Sequence, residues 1–181
     1  MLFRSNLDWD RPTKLGINIV EQHNPKSHIV IAAQHQKSLQ LAGVNLERWI
    51  VDVIDQIKLH TDRKIYIRPH PRDRLKQDNF SKDIKIETPC KLPNTYDSFD
   101  MDFNCHAIVN YNSGPGIQSA LHSCRPIVDT SSLAYPVSIS INEIESPYIV
   151  DRDKWLVEIC HTEYTVDEIA QGLWIHRLKI K

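Results

Sequence analysis

The sequence lacks a long apolar segment and any paired cysteine motif. No stretch approaches the roughly 18 consecutive apolar residues of a membrane span, and the first residues hold no apolar run of signal-peptide length. These absences favour a cytoplasmic protein without a membrane span. The cysteines Cys90, Cys105, Cys124 and Cys160 form no CxxC pair, so the sequence predicts neither a zinc site nor a disulfide framework.

The chain also has almost no net charge. Lysine and arginine number 22, aspartate and glutamate number 23, and the formal net charge is -1. This balance gives no strong positive field for nucleic acid, so a local patch would have to hold a polyanionic partner. The 181 residues, 41% of them hydrophobic, are enough for one layered core without a metal or a disulfide.

Short apolar strands alternate with amphipathic helices along the chain. The predicted strands are residues 28–34, 64–67, 84–87, 105–110 and 125–129, and the predicted helices are residues 45–60, 96–103, 115–123, 151–161 and 165–180. Asn45 is placed to cap one helix, and Thr165 with Glu168 forms a capping box for another. The alternation predicts an α/β, Rossmann-like parallel sheet covered by helices. We expect residues 1–27 to be a lead-in or connection and residues 28–181 to be the domain, with C-terminal helices.

One candidate site follows the strand at residues 64–67. Ligands of open α/β sheets bind beyond the carboxyl ends of the strands, where Arg68, His70 and Arg72 stand in the segment RPHPR. Pro69 and Pro71 keep this segment extended, and an extended chain directs alternate side chains the same way. The three side chains are therefore predicted to converge on one anion. The alternative is that both arginines are solvated and that His70 packs in a turn.

A second candidate site follows the strand at residues 105–110. There the segment NSGPGIQS passes through a turn of small residues into a helix, whose first amides and positive dipole end can bind an anion. The residues predicted to bind there are Ser113, Gly114, Gly116, Ile117, Gln118 and Ser119. The alternative is a plain helix cap, because the segment matches neither the Walker A nor the GxGxxG pattern.

Three other segments are weaker candidates. Residues 34–38 and 130–136 leave strands at the same predicted edge of the sheet, and each is either a wall of the cleft or a solvated loop. Asp100 and Asp102 have the spacing of a metal-binding pair, but their aromatic neighbours favour a packed element. No metal is predicted.

The order of these motifs resembles a known family. RPHP, an aspartate-bearing linker, YNSGPGIQSAL after a strand, and a Cys-Arg-Pro turn before a strand look like the C-terminal, nucleotide-sugar-binding half of GT-B glycosyltransferases. The likeness spans residues 28–135 and is strongest to bacterial capsule-polysaccharide enzymes and polysialyltransferases. It implies that His70 and Pro71 form the His-Pro motif, and that Ser113, Gly114 and Gly116 form the serine motif that holds the donor's phosphate.

The resemblance implies a glycosyltransferase that moves a sugar from a nucleotide-activated donor to a hydroxyl acceptor, in surface polysaccharide synthesis. The acceptor is expected to be a glycan rather than DNA, no cofactor is required, and His70 is the candidate catalytic residue. His70, Arg68 and Arg72 would stabilise the leaving phosphate. Gln118 departs from the family, which often has an acidic residue at this point for the ribose hydroxyls.

The length of the chain is a second departure, since 181 residues hold one half of a GT-B enzyme. We expect a truncated piece, a half that works with an N-terminal acceptor domain or partner subunit, or a degenerate descendant. The alternative functions are a nucleotide-sugar-binding module without turnover and a phage-type transferase that glycosylates modified DNA bases.

Overall fold

The computed structural model describes residues 7–21, 26–95 and 99–175. Contacts divide the chain into two compact units, one of residues 19–150 and the other of residues 1–18 with 151–181. Both candidate sites lie in the first of these units. None of the helices in the described ranges is long and apolar enough to cross a membrane. The division at residue 28 into a lead-in and a domain stays a prediction.

A parallel sheet forms the centre of the unit that contains residues 19–150. Its strands within the described residues are β1 (Ile29–Ala32), β2 (Ile65–Arg68), β3 (Lys85–Ile86), β4 (Ala107–Asn110) and β5 (Arg125–Val128). All pair in parallel, in the order β3-β2-β1-β4-β5. The predicted α/β, Rossmann-like parallel sheet is therefore confirmed.

The sheet order creates a topological switch point. Strand β1 is the central strand. The chain adds β2 and then β3 on one side of it, and afterwards β4 and then β5 on the other side. Ile29 of β1 lies opposite Ile65 of β2 and Ala107 of β4, so the three strands are in register. The loops that leave β1 and β4 diverge at this point and open a crevice where such sheets bind their ligands.

The helices of the described residues are α1 (Arg11–Lys14), α2 (Leu46–Lys58), α3 (Gly114–Leu121), α4 (Asp153–Cys160) and α5 (Val166–Ala170), with single 3₁₀ turns at Leu39–Leu41, Gln77–Asn79, Tyr135–Val137 and Ile141–Glu143. Helices α2 and α3 belong to the unit that contains the sheet, and α1, α4 and α5 belong to the other unit. The Oδ1 atom of Asn45 accepts the Arg48 N–H at 2.9 Å and caps α2 as predicted. Apolar residues on one stripe of α2, such as Ile50 and Ile57, are buried in the same cluster as Ile29 and Ile31 of β1.

Two predicted helices differ from the structure. In the helix expected over residues 165–180, α5 ends at Ala170, and Gly172 then takes a φ of +72° that turns the chain. Residues 176–180 lie outside the described part. In the helix expected over residues 96–103, residues 96–98 lie outside the described part. Of the rest, Phe99 pairs with Lys91 in an antiparallel bridge and residues 100–103 are not helical.

The unit that contains α1, α4 and α5 is held by an arginine. Arg11 Nη2 donates to Glu168 Oε2 at 2.8 Å and to the Glu163 carbonyl at 3.0 Å. The Thr165–Glu168 capping box predicted from the sequence is present. The Arg11 guanidinium, together with the Thr165 N–H, lowers the pKa of Glu168 to about 2.

Acid is expected to destabilise the fold through His106. This ring is 6% exposed; its Nε2 donates to the Ile144 carbonyl at 2.7 Å, and its Nδ1 accepts from Arg125 at 3.3 Å. Burial lowers the pKa of His106 below the ordinary 6.5, with Arg125 adding to the shift. Since the unfolded chain takes up the proton more readily, stability is retained above pH 6.5 and lost as the pH falls towards the lower folded pKa.

Urea unfolding at about pH 7.5 and about pH 5.5 measures this loss in the parent and in His106→Gln, whose amide can keep both hydrogen bonds. We expect the variant to lose less stability on acidification than the parent. The matched control is His60→Gln at an exposed histidine, which should follow the parent. Equal losses in all three chains would remove His106 as the cause.

Candidate functional site

A cavity of about 580 Å³ lies at the carboxyl edge of the sheet. Its walls come from the segments that leave β1, β2 and β4 and from the start of α3, so it occupies the switch point. The predicted residues that line it are Arg68, His70, Ser113, Gly114 and Gln118, whereas Arg72, Gly116, Ile117 and Ser119 are not among the described lining residues. The structure thus brings the two candidate sites together, with a smaller set of side chains.

The His70 ring is held in the cavity wall by the backbone two residues further along the chain. Pro69 and Pro71 flank it, and all three residues line the cavity. The His70 Nδ1 accepts the Arg72 N–H at 3.2 Å, so the neutral ring carries its proton on Nε2. The His35 ring meets the His70 ring edge-on, with the centroids 5.0 Å apart. His70 can therefore act as a hydrogen-bond donor towards an anion.

The start of α3 is organised by Asn110, which the sequence analysis did not single out. Asn110 is 1% exposed; its Oδ1 accepts the Ser113 N–H at 2.8 Å, and its Nδ2 donates to the Ala32 carbonyl at 2.8 Å and to Ser113 Oγ at 2.9 Å. This amide ties the end of β1 to the start of α3 and sets the position of the Ser113 hydroxyl. The available signal was a polar amide at the end of an otherwise apolar strand.

The helix start offers fewer amides than the sequence analysis expected. Pro115 has no N–H, the Gly116 N–H donates to the Ser113 carbonyl at 3.1 Å, and the Ser113 N–H is taken by Asn110. The Gly114 N–H makes no hydrogen bond with any described residue. Ser113 stands at the N-cap position, but its side chain makes no capping hydrogen bond, which weakens the plain-cap alternative. The Gly114 N–H is left for a ligand, and the Ser113 hydroxyl can donate to one only by leaving its 3.3 Å contact with Asn110 Oδ1.

Gly116 and Ser119 serve packing. A Cβ at Gly116 would lie 2.8 Å from Val128 Cγ1 and 3.3 Å from Asn110 Oδ1, so only glycine lets α3 approach β5 this closely. Ser119 is fully buried, and its hydroxyl donates to the Gly116 carbonyl at 2.8 Å. Both residues hold α3 in place.

Gly116→Ala is therefore expected to destabilise the fold by about 1 to 3 kcal/mol, because the added methyl overpacks the contact with Val128. The matched variant is Gly114→Ala, where a Cβ would meet nothing within 4 Å. Urea unfolding of the two variants measures the difference. Equal stability of Gly116→Ala and the parent would show that the helix does not pack this tightly.

Arg68 is held by carboxylates. Its side chain is 6% exposed, and Nη2 donates to the Asp100 carbonyl at 2.9 Å and to Asp100 Oδ1 at 2.8 Å. Its Nη1 lies 3.8 Å from Glu87 Oε2. The positive charge is compensated inside the protein, while Arg72 is exposed and outside the described lining. Of the three side chains predicted to converge, Arg68 and His70 line the cavity and Arg72 does not.

The two aspartates with metal-binding spacing have structural partners. Asp100 Oδ1 accepts the Cys90 N–H at 2.6 Å as well as Arg68, and Asp102 Oδ2 lies 3.3 Å from both Lys26 Nζ and His28 Nε2. In the part of the chain that the structure describes, no group of three or more histidine, cysteine, aspartate or glutamate residues could hold a metal ion.

The loop after β1 forms the middle of the cavity wall. Gln34 is 4% exposed, and its amide nitrogen donates to Asn112 Oδ1 at 2.9 Å and to Gln40 Oε1 at 3.1 Å, with Ser38 Oγ at 3.4 Å. Its Oε1 accepts the Asn112 N–H at 3.1 Å. Gln34, His35, Ser38 and Gln40 all line the cavity. Of the two polar loops weighed from the sequence, residues 34–38 contribute to the wall and the described residues of 130–136 do not.

Asp73 joins the loop after β1 to the His70 turn. Its carboxylate accepts the Gln36 N–H and lies 3.4 Å from His35 Nε2, and its N–H donates to the His70 carbonyl at 2.8 Å. His35 is further held because its Nδ1 accepts the Lys37 N–H at 3.0 Å. Asp73 therefore links the two segments, with its carboxylate beside His35 and its backbone N–H on the His70 carbonyl.

Comparison with protein-family models, with curated proteins and with solved structures gives no match to this chain. The resemblance to GT-B glycosyltransferases therefore rests on the RPHP and NSGPG segments and on their placement.

Proposed function

We propose that this chain is the donor-binding half of a GT-B-type glycosyltransferase. It holds a nucleotide-activated sugar in the cavity for transfer to a hydroxyl acceptor, in surface polysaccharide synthesis. One observation carries the proposal: His70 and the start of α3, which follow different strands and lie more than forty residues apart in the sequence, line the same cavity at the switch point.

The donor's phosphate is bound by groups without permanent positive charge. The His70 Nε2–H, the Ser113 hydroxyl and the Gly114 N–H donate to its oxygens, and the positive end of the α3 dipole adds to them. Phe99, Met101 and Pro89 line the cavity as well and provide apolar area for the nucleobase.

In the transfer, the bond between the sugar's anomeric carbon and the phosphate oxygen breaks, and the acceptor oxygen forms the new bond to that carbon. The departing phosphate keeps the bonding electrons, and the donors around it stabilise this charge. His70, when protonated, can also give its proton to that oxygen. The acceptor hydroxyl loses its own proton to a base.

The base that takes this proton is expected to come from outside the described lining residues. Those lining residues include one carboxylate, that of Asp100, and it is bound to Arg68 and the Cys90 N–H. This supports a half that works with an acceptor domain or partner subunit. It equally favours the second candidate function, a nucleotide-sugar-binding module without turnover.

Thermal unfolding with CMP, CDP, UDP and GDP tests the proposal. A nucleotide at about 100 times its dissociation constant should stabilise the folded chain by about 2.7 kcal/mol. We expect His70→Ala to lose most of this stabilisation and the control His60→Ala, at an exposed histidine, to keep it. Equal ligand-induced shifts in His70→Ala and the parent, or no shift with any nucleotide, would contradict the proposal.

A further inference from the structure

We propose that the loop after β1 forms a subsite for a neutral, hydroxyl-bearing sugar, and that the cavity disfavours donors whose sugar carries a carboxylate. The inference rests on the proposed function, whose sugar it specifies. Two independent features of the cavity support it: the hydrogen-bonding groups of this loop and the balance of charges in the wall.

The subsite lies beside the phosphate-binding groups. Strand β1 runs between β2 and β4, so the loop that leaves it lies between His70, which follows β2, and Ser113, which follows β4. In a nucleotide-sugar the transferred sugar is attached directly to the phosphate. A phosphate held by His70 and Ser113 therefore places its sugar against the loop that carries Ser38 and Gln40.

Gln34 sets the polarity of this subsite. Its buried amide nitrogen gives its two hydrogens to Asn112 Oδ1 at 2.9 Å and to Gln40 Oε1 at 3.1 Å, and Ser38 Oγ lies nearby at 3.4 Å. The Gln40 oxygen therefore already receives a hydrogen. The Ser38 hydroxyl and the Gln40 amide group then remain as donors, and the Gln40 amide nitrogen makes no hydrogen bond to any residue in the described ranges. Neutral donors of this kind suit the oxygens of sugar hydroxyls.

The charges in the wall oppose a carboxylate on the sugar. Among the described lining residues Arg68 is the permanently charged cation, and Asp100 and Glu87 compensate it. His35 faces the Asp73 carboxylate at 3.4 Å. The phosphate faces the start of α3, where the Gly114 N–H and the positive end of the helix dipole offset its charge. A sugar carboxylate beside the loop after β1 would lose water without such a helix start and without a cation other than the compensated Arg68 among the described lining residues.

Matched donors separate the two kinds of sugar. UDP-glucose and UDP-glucuronate differ only in a hydroxymethyl group or a carboxylate at one carbon, and GDP-mannose and GDP-mannuronate form a second pair. Calorimetry gives the dissociation constants of the full chain for these four donors and for UDP and GDP alone. In the pair whose nucleotide the chain binds, we expect the neutral donor to bind at least about tenfold more tightly than the acidic one. An acidic member that binds as tightly as its neutral counterpart would overturn the inference.

The same titrations distinguish the two proposals. If nucleotides bind in a His70-dependent way and the acidic sugar is accepted, the subsite proposal fails and the proposed function stands. If none of the six ligands binds and neither CMP nor CDP stabilises the chain, or if binding does not depend on His70, the proposed function fails and the subsite with it.

Variants of Gln40 test the residue directly. Its side chain is exposed, and urea unfolding of each variant checks that loss of the contact with Gln34 leaves the fold intact. Gln40→Ala should weaken UDP-glucose about threefold to tenfold, the range expected for one lost hydrogen bond, and leave UDP unchanged. Gln40→Arg adds a cation to the subsite, so it should reduce the ratio between the affinities for the neutral and the acidic donor. Gln36→Ala is the matched control, because Gln36 is exposed on the same loop and is not among the lining residues. Equal behaviour of Gln40→Ala and Gln36→Ala would contradict the assignment.

Discussion

Arg68→Met is expected to lower the free energy of unfolding by about 2 to 3 kcal/mol, because it removes the cation and the hydrogen bonds that hold Asp100, whereas Glu87 keeps Lys85 Nζ at 2.7 Å. Both carboxylates keep partial access to water, with 46% and 26% of their side-chain surface exposed, so the loss should fall below that of a fully buried pair. Urea unfolding measures it. The backbone at residues 99–103, which Asp100 anchors, should loosen along with the cavity wall.

The control for this substitution is Arg74→Met at an exposed arginine, which should leave stability nearly unchanged. The result would also decide between two roles for Arg68. A variant that keeps its stability but loses nucleotide affinity would make Arg68 a phosphate ligand, as the RPHPR pattern predicts. A variant that loses stability as expected would make Arg68 a structural residue of the cavity wall.

Asn110→Ala should lower stability by about 2 to 4 kcal/mol, since the Ala32 carbonyl and the Ser113 N–H both lose a buried partner. It should also release the Ser113 hydroxyl and weaken nucleotide binding. The matched control is Asn104→Ala, at an exposed asparagine. Chemical unfolding of the two variants measures the loss of stability, and nucleotide titration measures the loss of affinity.

A second variant separates stability from positioning. Asn110→Asp keeps an acceptor for the Ser113 N–H but cannot donate to the Ala32 carbonyl unless protonated. We expect its loss of stability to be comparable to that of Asn110→Ala, because a buried carboxylate is added. Wild-type stability in either variant would mean that Asn110 does not join β1 to α3.

Patterns within single segments were sufficient to predict the main parts of the fold. The apolar run at 28–34, the helical stripe that includes Ile50 and Ile57, and the Asn45 cap are all local features, and the structure confirms each. Candidate site residues at strand exits could be found the same way, since parallel strands end at one edge. The strand order, which puts β1 between β2 and β4, required knowledge of pairings between distant segments.

Features that depend on distant partners escaped the sequence analysis. The partner of Arg68 is Asp100, on a separate segment, and nothing within RPHPR indicates it. The packing role of Gly116 could not be predicted from its own segment, because the contact with Val128 is made with another strand. The aromatic neighbours of Asp100 and Asp102 favoured a packed helix at residues 96–103, whereas Phe99 pairs with Lys91, on a separate segment. Local patterns locate a site more reliably than they assign each side chain in it.

Nuclear magnetic resonance of the isotope-labelled full chain, titrated with the nucleotide that gives the largest thermal shift, tests the central claim most directly. The claim is that one phosphate is held between the His70 imidazole and the Gly114 amide. We predict that the His70 Nε2 and Gly114 N–H signals both move, and that both saturate with the same dissociation constant. A nucleotide that binds while either signal stays in place would contradict the account.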